Sequence, residues 1–226
     1  IVESMEGPSA SYNIPFVLKI TGRLDMLRFS DAIEKMVARH EALRTSFETV
    51  DGEPVQVVHP TVRLKKFFQD SSAGVLEDYL GEFVRPFDLS EPPLFRVKLL
   101  KVGENEHWLL LDVHHIVFDG MSLEIFTREL FEIYAGRALP ELAAQYKDFC
   151  LWQKEFLASR AMAEQEKVWF EMLSGELPTL NMPTDFARPP KPDIAGDHYG
   201  FTADPEISAR LRSLALTTGN TLYTVV

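Results

Sequence analysis

A single cysteine, Cys150, is present in 226 residues, so no internal disulfide can form and no cysteine-based zinc pattern exists. A reducing compartment, the cytoplasm, is therefore expected. Runs of Lys and Arg that would track phosphates are also missing, and Asp plus Glu outnumber Lys plus Arg by 34 to 23, for a net charge of −11. Nucleic acid is not expected as a partner. No stretch approaches the ~20 consecutive apolar residues that cross a bilayer, and the first residues lack the basic-then-apolar layout of a signal peptide. No membrane association is expected. Repeats and low-complexity tracts are absent too. The chain opens on Ile1 and stops at "TLYTVV", an apolar run with no cap or turn signal, and reads as part of something longer.

What is present suits a packed core: 46% of the residues are hydrophobic and 16 are Phe. "YNIPFVLKITG" (12–22) places Phe16, Leu18 and Ile20 on one side at strand period. Asp25 can cap a following helix whose positions Phe29, Ile33, Met36, Val37 and His40 recur at helical spacing. Two strands flank Asp51-Gly52, a strong hairpin signal. A helix is predicted over 72–84, strands over 94–102 and 107–114, and helices over 122–135, 144–157 and 161–173. In the 144–157 helix, Tyr146, Phe149, Cys150, Gln153 and Phe156 share a face and are expected to pack in the core. Residues 178–192 hold five of the 14 prolines and read as an extended surface connector. A short strand near 198–203 and a helix over 205–217 follow. The class is α/β, a mixed sheet covered by helices.

The stretch "VHHIVFDGMS" (113–122) holds the chemistry-bearing residues. Along the preceding strand, side chains alternate faces, so His114 and His115 point apart. That geometry counts against a zinc site made by the pair, because metal-binding histidines on one element sit at i, i+2 on a strand or i, i+4 on a helix. A histidine among leucines can equally be a core residue with a satisfied ring. The position tips the balance: the run leaves a buried strand, turns at Asp119-Gly120, and enters a helix that Ser122 could cap. Such turns present side chains and backbone N–H groups to a cleft, and Gly120 lets the backbone bend and approach a substrate.

"HHIVFDG" at 114–120 resembles the HHxxxDG signature of condensation domains from nonribosomal peptide synthetases, relatives of the chloramphenicol acetyltransferase-like acyltransferases. Two further segments match family patterns in order: "RHEALRTSF" (39–47) resembles RHExLRTxF, and "YKDFCLW" (146–152) resembles YxDFAxW. The resemblance spans nearly the whole chain but about half of a condensation domain; the SxAQxR-type segment and the second lobe's GxFVNT-like segment have no counterpart, and Met121 stands where tryptophan is frequent.

The resemblance implies a two-layer α/β sandwich, with 1–177 as the N-terminal lobe, 178–192 as connector and 193–226 as the start of a second lobe. It implies amide-bond formation between donor acyl and acceptor aminoacyl thioesters, each carried on the phosphopantetheine of a peptidyl carrier protein, with adjacent synthetase domains in cis and no cofactor or metal bound directly. His115 would lie beside the acceptor amine, as a proton acceptor or as the group that orients the amine. His114 would be structural. Asp119 could be read as an orienting partner of His115, as in a hydrolase triad; the resemblance points instead to a structural bridge to an arginine, with Arg39 and Arg44 as candidates. The alternatives are an epimerization domain, which shares HHxxxDG, and a non-catalytic condensation-like module that recruits a partner protein.

Overall fold

The computed structural model describes residues 9–64, 68–70, 76–187 and 199–226. The chain divides into two compact units, Ile1–Thr179 and Leu180–Val226.

The first unit is built on a four-stranded sheet. Strand β1 (Asn13–Thr21) has the alternation that its apolar positions predict, and leads through Asp25 into helix α1 (Met26–Arg39). The Asp25 carboxylate accepts from the N–H groups of Leu27 and Arg28, satisfying two of the donors that a helix start leaves open. One face of α1 is buried, through Phe29, Ala32, Ile33, Met36 and Val37; His40 ends the helix. A single 3₁₀ turn (Glu41–Arg44), not anticipated from the sequence, then delivers the chain to a hairpin of β2 (Thr45–Val50) and β3 (Glu53–Val58). Asp51 and Gly52 both take positive φ, 52° and 84°, as a two-residue type I′ turn demands. Strand β4 (Phe68–Asp70) was also unforeseen, and helix α2 spans Leu76–Phe83. Residues 72–75 of the predicted helix lie outside the described residues.

Strands β5 (Phe95–Gly103) and β6 (Glu106–His114) complete the sheet in the order β1-β6-β5-β4, with β4 parallel to β5 and the other pairs antiparallel. Helix α3 (Gly120–Tyr134) returns alongside α1 on one face. There Leu99, Leu109, Leu111 and Val113 meet Phe29, Ile33, Met36, Phe126 and Leu130. The opposite face carries a smaller cluster in which Leu100 and Leu110 pack with Phe83 of α2. The mixed α/β layering is as expected. Strand β6 is buried on both faces, so it reads as a nearly unbroken apolar run.

Helices α4 (Tyr146–Leu157) and α5 (Arg160–Met172) depart from expectation. Neither has a buried residue; Tyr146, Phe149, Trp152 and Phe156 stack against one another along α4, at centroid spacings of 5.9, 5.6 and 5.4 Å. Helical spacing correctly put Tyr146, Phe149 and Phe156 on one face, which Trp152 joins, but within this unit Tyr146, Phe149 and Trp152 stay exposed.

The second unit contains α6 (Pro205–Thr218), capped by Asp204 and ended by Gly219 at φ 66°, and a four-residue helix, α7 (Leu222–Val225). Residues 178–187 have no regular structure, and 188–198 lie outside the described residues. The strand predicted near 198–203 is not formed over 199–203, where the backbone pairs with no strand among the described residues.

Candidate active site

Strand β6 ends at His114, and the two histidines part there. His114 is buried, its backbone N–H donates to the Leu94 carbonyl (3.0 Å), and its Nδ1 accepts from the Ile116 N–H (3.1 Å). In the neutral ring the proton therefore sits on Nε2. Tyr12 and Phe87 flank the ring, each at 6.1 Å between centroids. His115 lies beyond the strand end, where its N–H donates to the Tyr12 carbonyl (2.8 Å) and its side chain is exposed. It lines a cavity of about 260 Å³ together with Asp119, Ser122, Thr45, Gln56 and Tyr146.

Four segments thus meet at this cavity: the β6–α3 turn, the 3₁₀ turn, the β2–β3 hairpin and the start of α4. The last is pegged in place by polar contacts. Gln145, the cap of α4, accepts from the Glu41 N–H (3.1 Å) and donates to the Arg39 carbonyl (2.9 Å), while Lys147 pairs with Glu41 (2.7 Å). Cys150 is half-buried, and its Sγ accepts from Gln56 Nε2 at 3.2 Å, a hydrogen-bonded setting in place of the core packing expected of it.

Asp119 caps α3. Its Oδ1 accepts from the Ser122 backbone N–H (2.8 Å) and hydroxyl (2.7 Å). Ser122, read from sequence as the cap, is instead the donor to it. Those bonds, the hydroxyl's foremost, hold the Asp119 carboxyl below its ordinary range, with a smaller electrostatic contribution from His115. The bridge from Asp119 to Arg39 or Arg44 is not formed. Arg39 Nε donates to Glu129 of α3 at 2.9 Å, where His40 Nε2 also lies 2.7 Å from the same oxygen. Arg44 donates to the His59 carbonyl and sits 3.4 Å from Glu41. The reason is burial: Glu129 is nearly inaccessible and needs cations, whereas Asp119 is exposed and satisfied by its own turn. Gly120 is the first helical residue, and a Cβ built there meets nothing within 4 Å, so neither backbone bend nor internal packing requires glycine.

The sequence reading missed a second carboxylate. Asp112, fully buried on β6, pairs with Arg96 Nη1 (2.7 Å) and accepts from Asn13 Nδ2 at 2.9 Å. Arg96 also donates to the carbonyls of Arg85 (2.7 Å) and Pro86 (2.8 Å), and its guanidinium lies 3.6 Å from the Phe87 ring centroid. Burial pushes the Asp112 carboxyl up and the Arg96 guanidinium down from their ordinary values; their mutual attraction opposes both shifts. A signal was available: an aspartate inside a run of leucines, with an arginine on the preceding strand that antiparallel pairing sets directly opposite.

Comparison with known proteins places this geometry in a family. The sequence model described as "Condensation domain" matches residues 1–226. Tyrocidine synthase 3 of Brevibacillus parabrevis is 45% identical over 226 residues, which is the whole of this chain and 4% of that protein. Bacitracin synthase 3 of Bacillus licheniformis is 42% identical over 223 residues, 99% of this chain and 4% of that protein. Among solved structures, the X-domain from teicoplanin biosynthesis superposes with a TM-score of 0.74 at 28% identity, covering 93% of this chain and 49% of that one. The chain belongs to the condensation-domain family. It spans a small fraction of the curated relatives and about half of the solved domain.

Proposed function

We propose that this chain carries the His115 side of a site that forms amide bonds in nonribosomal peptide synthesis, joining a donor acyl thioester to an acceptor aminoacyl thioester. Each substrate arrives on the phosphopantetheine of a carrier protein, and adjacent synthetase domains act in cis. The observation that carries the reading is the division of labour at the end of β6: His114 is buried and engaged by its own turn, while His115 is exposed on the cavity wall. In the reaction the acceptor nitrogen attacks the donor carbonyl carbon, the C–N bond forms, the C–S bond breaks, and the nitrogen's proton passes to a base as thiolate leaves. His115 orients the amine or accepts that proton. Asp119, as helix cap, holds the turn that presents His115 and is not its triad partner. The free space around Gly120 suits a substrate arm passing close to the backbone.

We assign residues 1–177 to one lobe, 178–192 to a connector and 193–226 to the start of the next lobe. The 226 residues alone are inactive on this reading, because positioning two thioesters requires walls that one lobe does not supply, and orientation accounts for roughly 7 to 11 kcal/mol of such barriers. The test is single-turnover amide formation by the full-length synthetase with loaded donor and acceptor carrier proteins. His115→Ala should slow it by about 10²–10⁴-fold, and EDTA should leave it unchanged. An unaltered rate for His115→Ala overturns the assignment. A partner-recruiting module would bind a neighbour protein equally well with His115 or alanine and form no amide.

A further inference from the structure

A second cavity, of about 120 Å³, adjoins the one that His115 lines; Ala42, Val117, Phe118 and Ser122 border both. Met36, Leu43, Ile125 and Phe126 make most of its remaining wall, and His40 is the single titratable group among its lining residues. His40 Nε2 already lies 2.7 Å from Glu129, and the Ser122 hydroxyl donates to Asp119 at 2.7 Å. One ring nitrogen of His40 and the Ser122 O–H are therefore engaged elsewhere. A charged substituent entering this slot would lose water against seven apolar side chains and meet at most the second nitrogen of His40 and a lone pair of the Ser122 oxygen, whereas a hydrocarbon would lose nothing. Size narrows the choice further: a dry apolar cavity of about 150 Å³ accommodates benzene, so this smaller one suits a branched chain of three or four carbons.

We propose that the slot is a side-chain subsite for the acceptor and selects a branched aliphatic residue. The proposal rests on the amide-forming reading above. The acceptor is favoured over the donor by bond count. With the attacking nitrogen at His115, the acceptor's Cβ is two bonds from that nitrogen, while the donor's Cβ is three bonds away, on the far side of the carbonyl carbon.

Ile125 gives the test, because it lines the slot and not the His115 cavity, and at 37% exposure it tolerates a change of size. The full-length synthetase is assayed in single turnover with one donor and with acceptor carrier proteins loaded with alanine, leucine or phenylalanine. The wild type should prefer leucyl over alanyl by at least about tenfold, the discrimination that one or more methylenes confer in an apolar pocket. Ile125→Trp should abolish that preference by slowing the leucyl reaction while sparing the alanyl one. Ile125→Ala should act oppositely and admit phenylalanyl, which keeps the test decisive if the tryptophan variant does not fold. Equal effects on every acceptor, or a changed preference among donors instead, overturn the subsite. A wild type that forms no amide with any acceptor overturns the amide-forming reading and the subsite with it, a failure distinguishable from unselective variants.

Discussion

Asp112 and Asp119 lie on one strand-to-helix segment, yet their surroundings push them in opposite directions. Asp112 is wholly buried, and desolvation raises its pKa in spite of Arg96 and Asn13; Asp119 is exposed, and the bonds from Ser122 lower its pKa. The first ties strand β6 to β5 and, through Arg96, to the carbonyls of Arg85 and Pro86. The second organises a single helical turn. Two roles are thus separated along the segment: Asp112 lies upstream of the histidines, inside the sheet, and Asp119, beside the cavity, caps a single turn.

The comparison breaks most visibly at Asp112. Asp112→Ala strands the Arg96 guanidinium in a low-dielectric site and should cost about 3–5 kcal/mol in urea denaturation; a loss no larger than that of Asp119→Ala would mean that water or another group compensates Arg96. Next comes Glu129, where burial acts to raise the pKa but the bonds and charges of Arg39 and His40 outweigh it, leaving it below its ordinary 4.5. Its stabilisation is complete above that value and is lost as pH falls through the lowered folded value. Glu129→Gln should cost about 1.5–3 kcal/mol at neutral pH, a deficit that closes on acidification. Asp112 runs the other way, since with a folded-state pKa above its ordinary 3.8 its charge penalty is relieved as pH falls toward that value. A deficit for Glu129→Gln that is flat between pH 7 and 3 would remove this contrast.

Asp119→Ala should cost about 0.5–2 kcal/mol, the usual toll of losing a helix cap, with partial rescue by Asn. A deficit rivalling that of Asp112→Ala would restore the idea of a buried bridge at this position. Smallest is His115→Ala, exposed and without a side-chain bond among the contacts described, which should change stability by less than about 0.5 kcal/mol. A melting temperature lowered as far as in Asp119→Ala would make His115 a structural residue.

Much of the first unit was legible because its elements are decided locally. The period of β1, the Asp25 cap, the Asp51-Gly52 turn and the apolar face of α1 each follow from residues close in sequence. That His114 and His115 would have different surroundings was legible for the same reason, since alternation is a two-residue rule; one is buried and the other, just past the strand end, is exposed. Partner choice was not. Arg39, Arg44 and Asp119 could be paired on paper, but which carboxylate is buried depends on how α1 meets α3, and burial gave both Arg39 and His40 to Glu129. Strand β4 is three residues long, too short for any period to register. The aromatic face of α4 shows the converse limit: spacing reveals that a helix has an apolar side, not whether anything within the same unit covers it.

The Asp119 cap has an electrostatic consequence for anything that enters the cavity. Fifteen residues of helix begin at Gly120, and their aligned peptide dipoles place roughly half a positive charge at that end. Left bare, this end would repel an incoming ammonium and favour an anion. The Asp119 carboxylate, kept ionised by Ser122, more than cancels it and leaves a net formal charge of roughly −0.5 at this helix end beside His115. The helix terminus, usually a place for phosphates and carboxylates, is here inverted in sign.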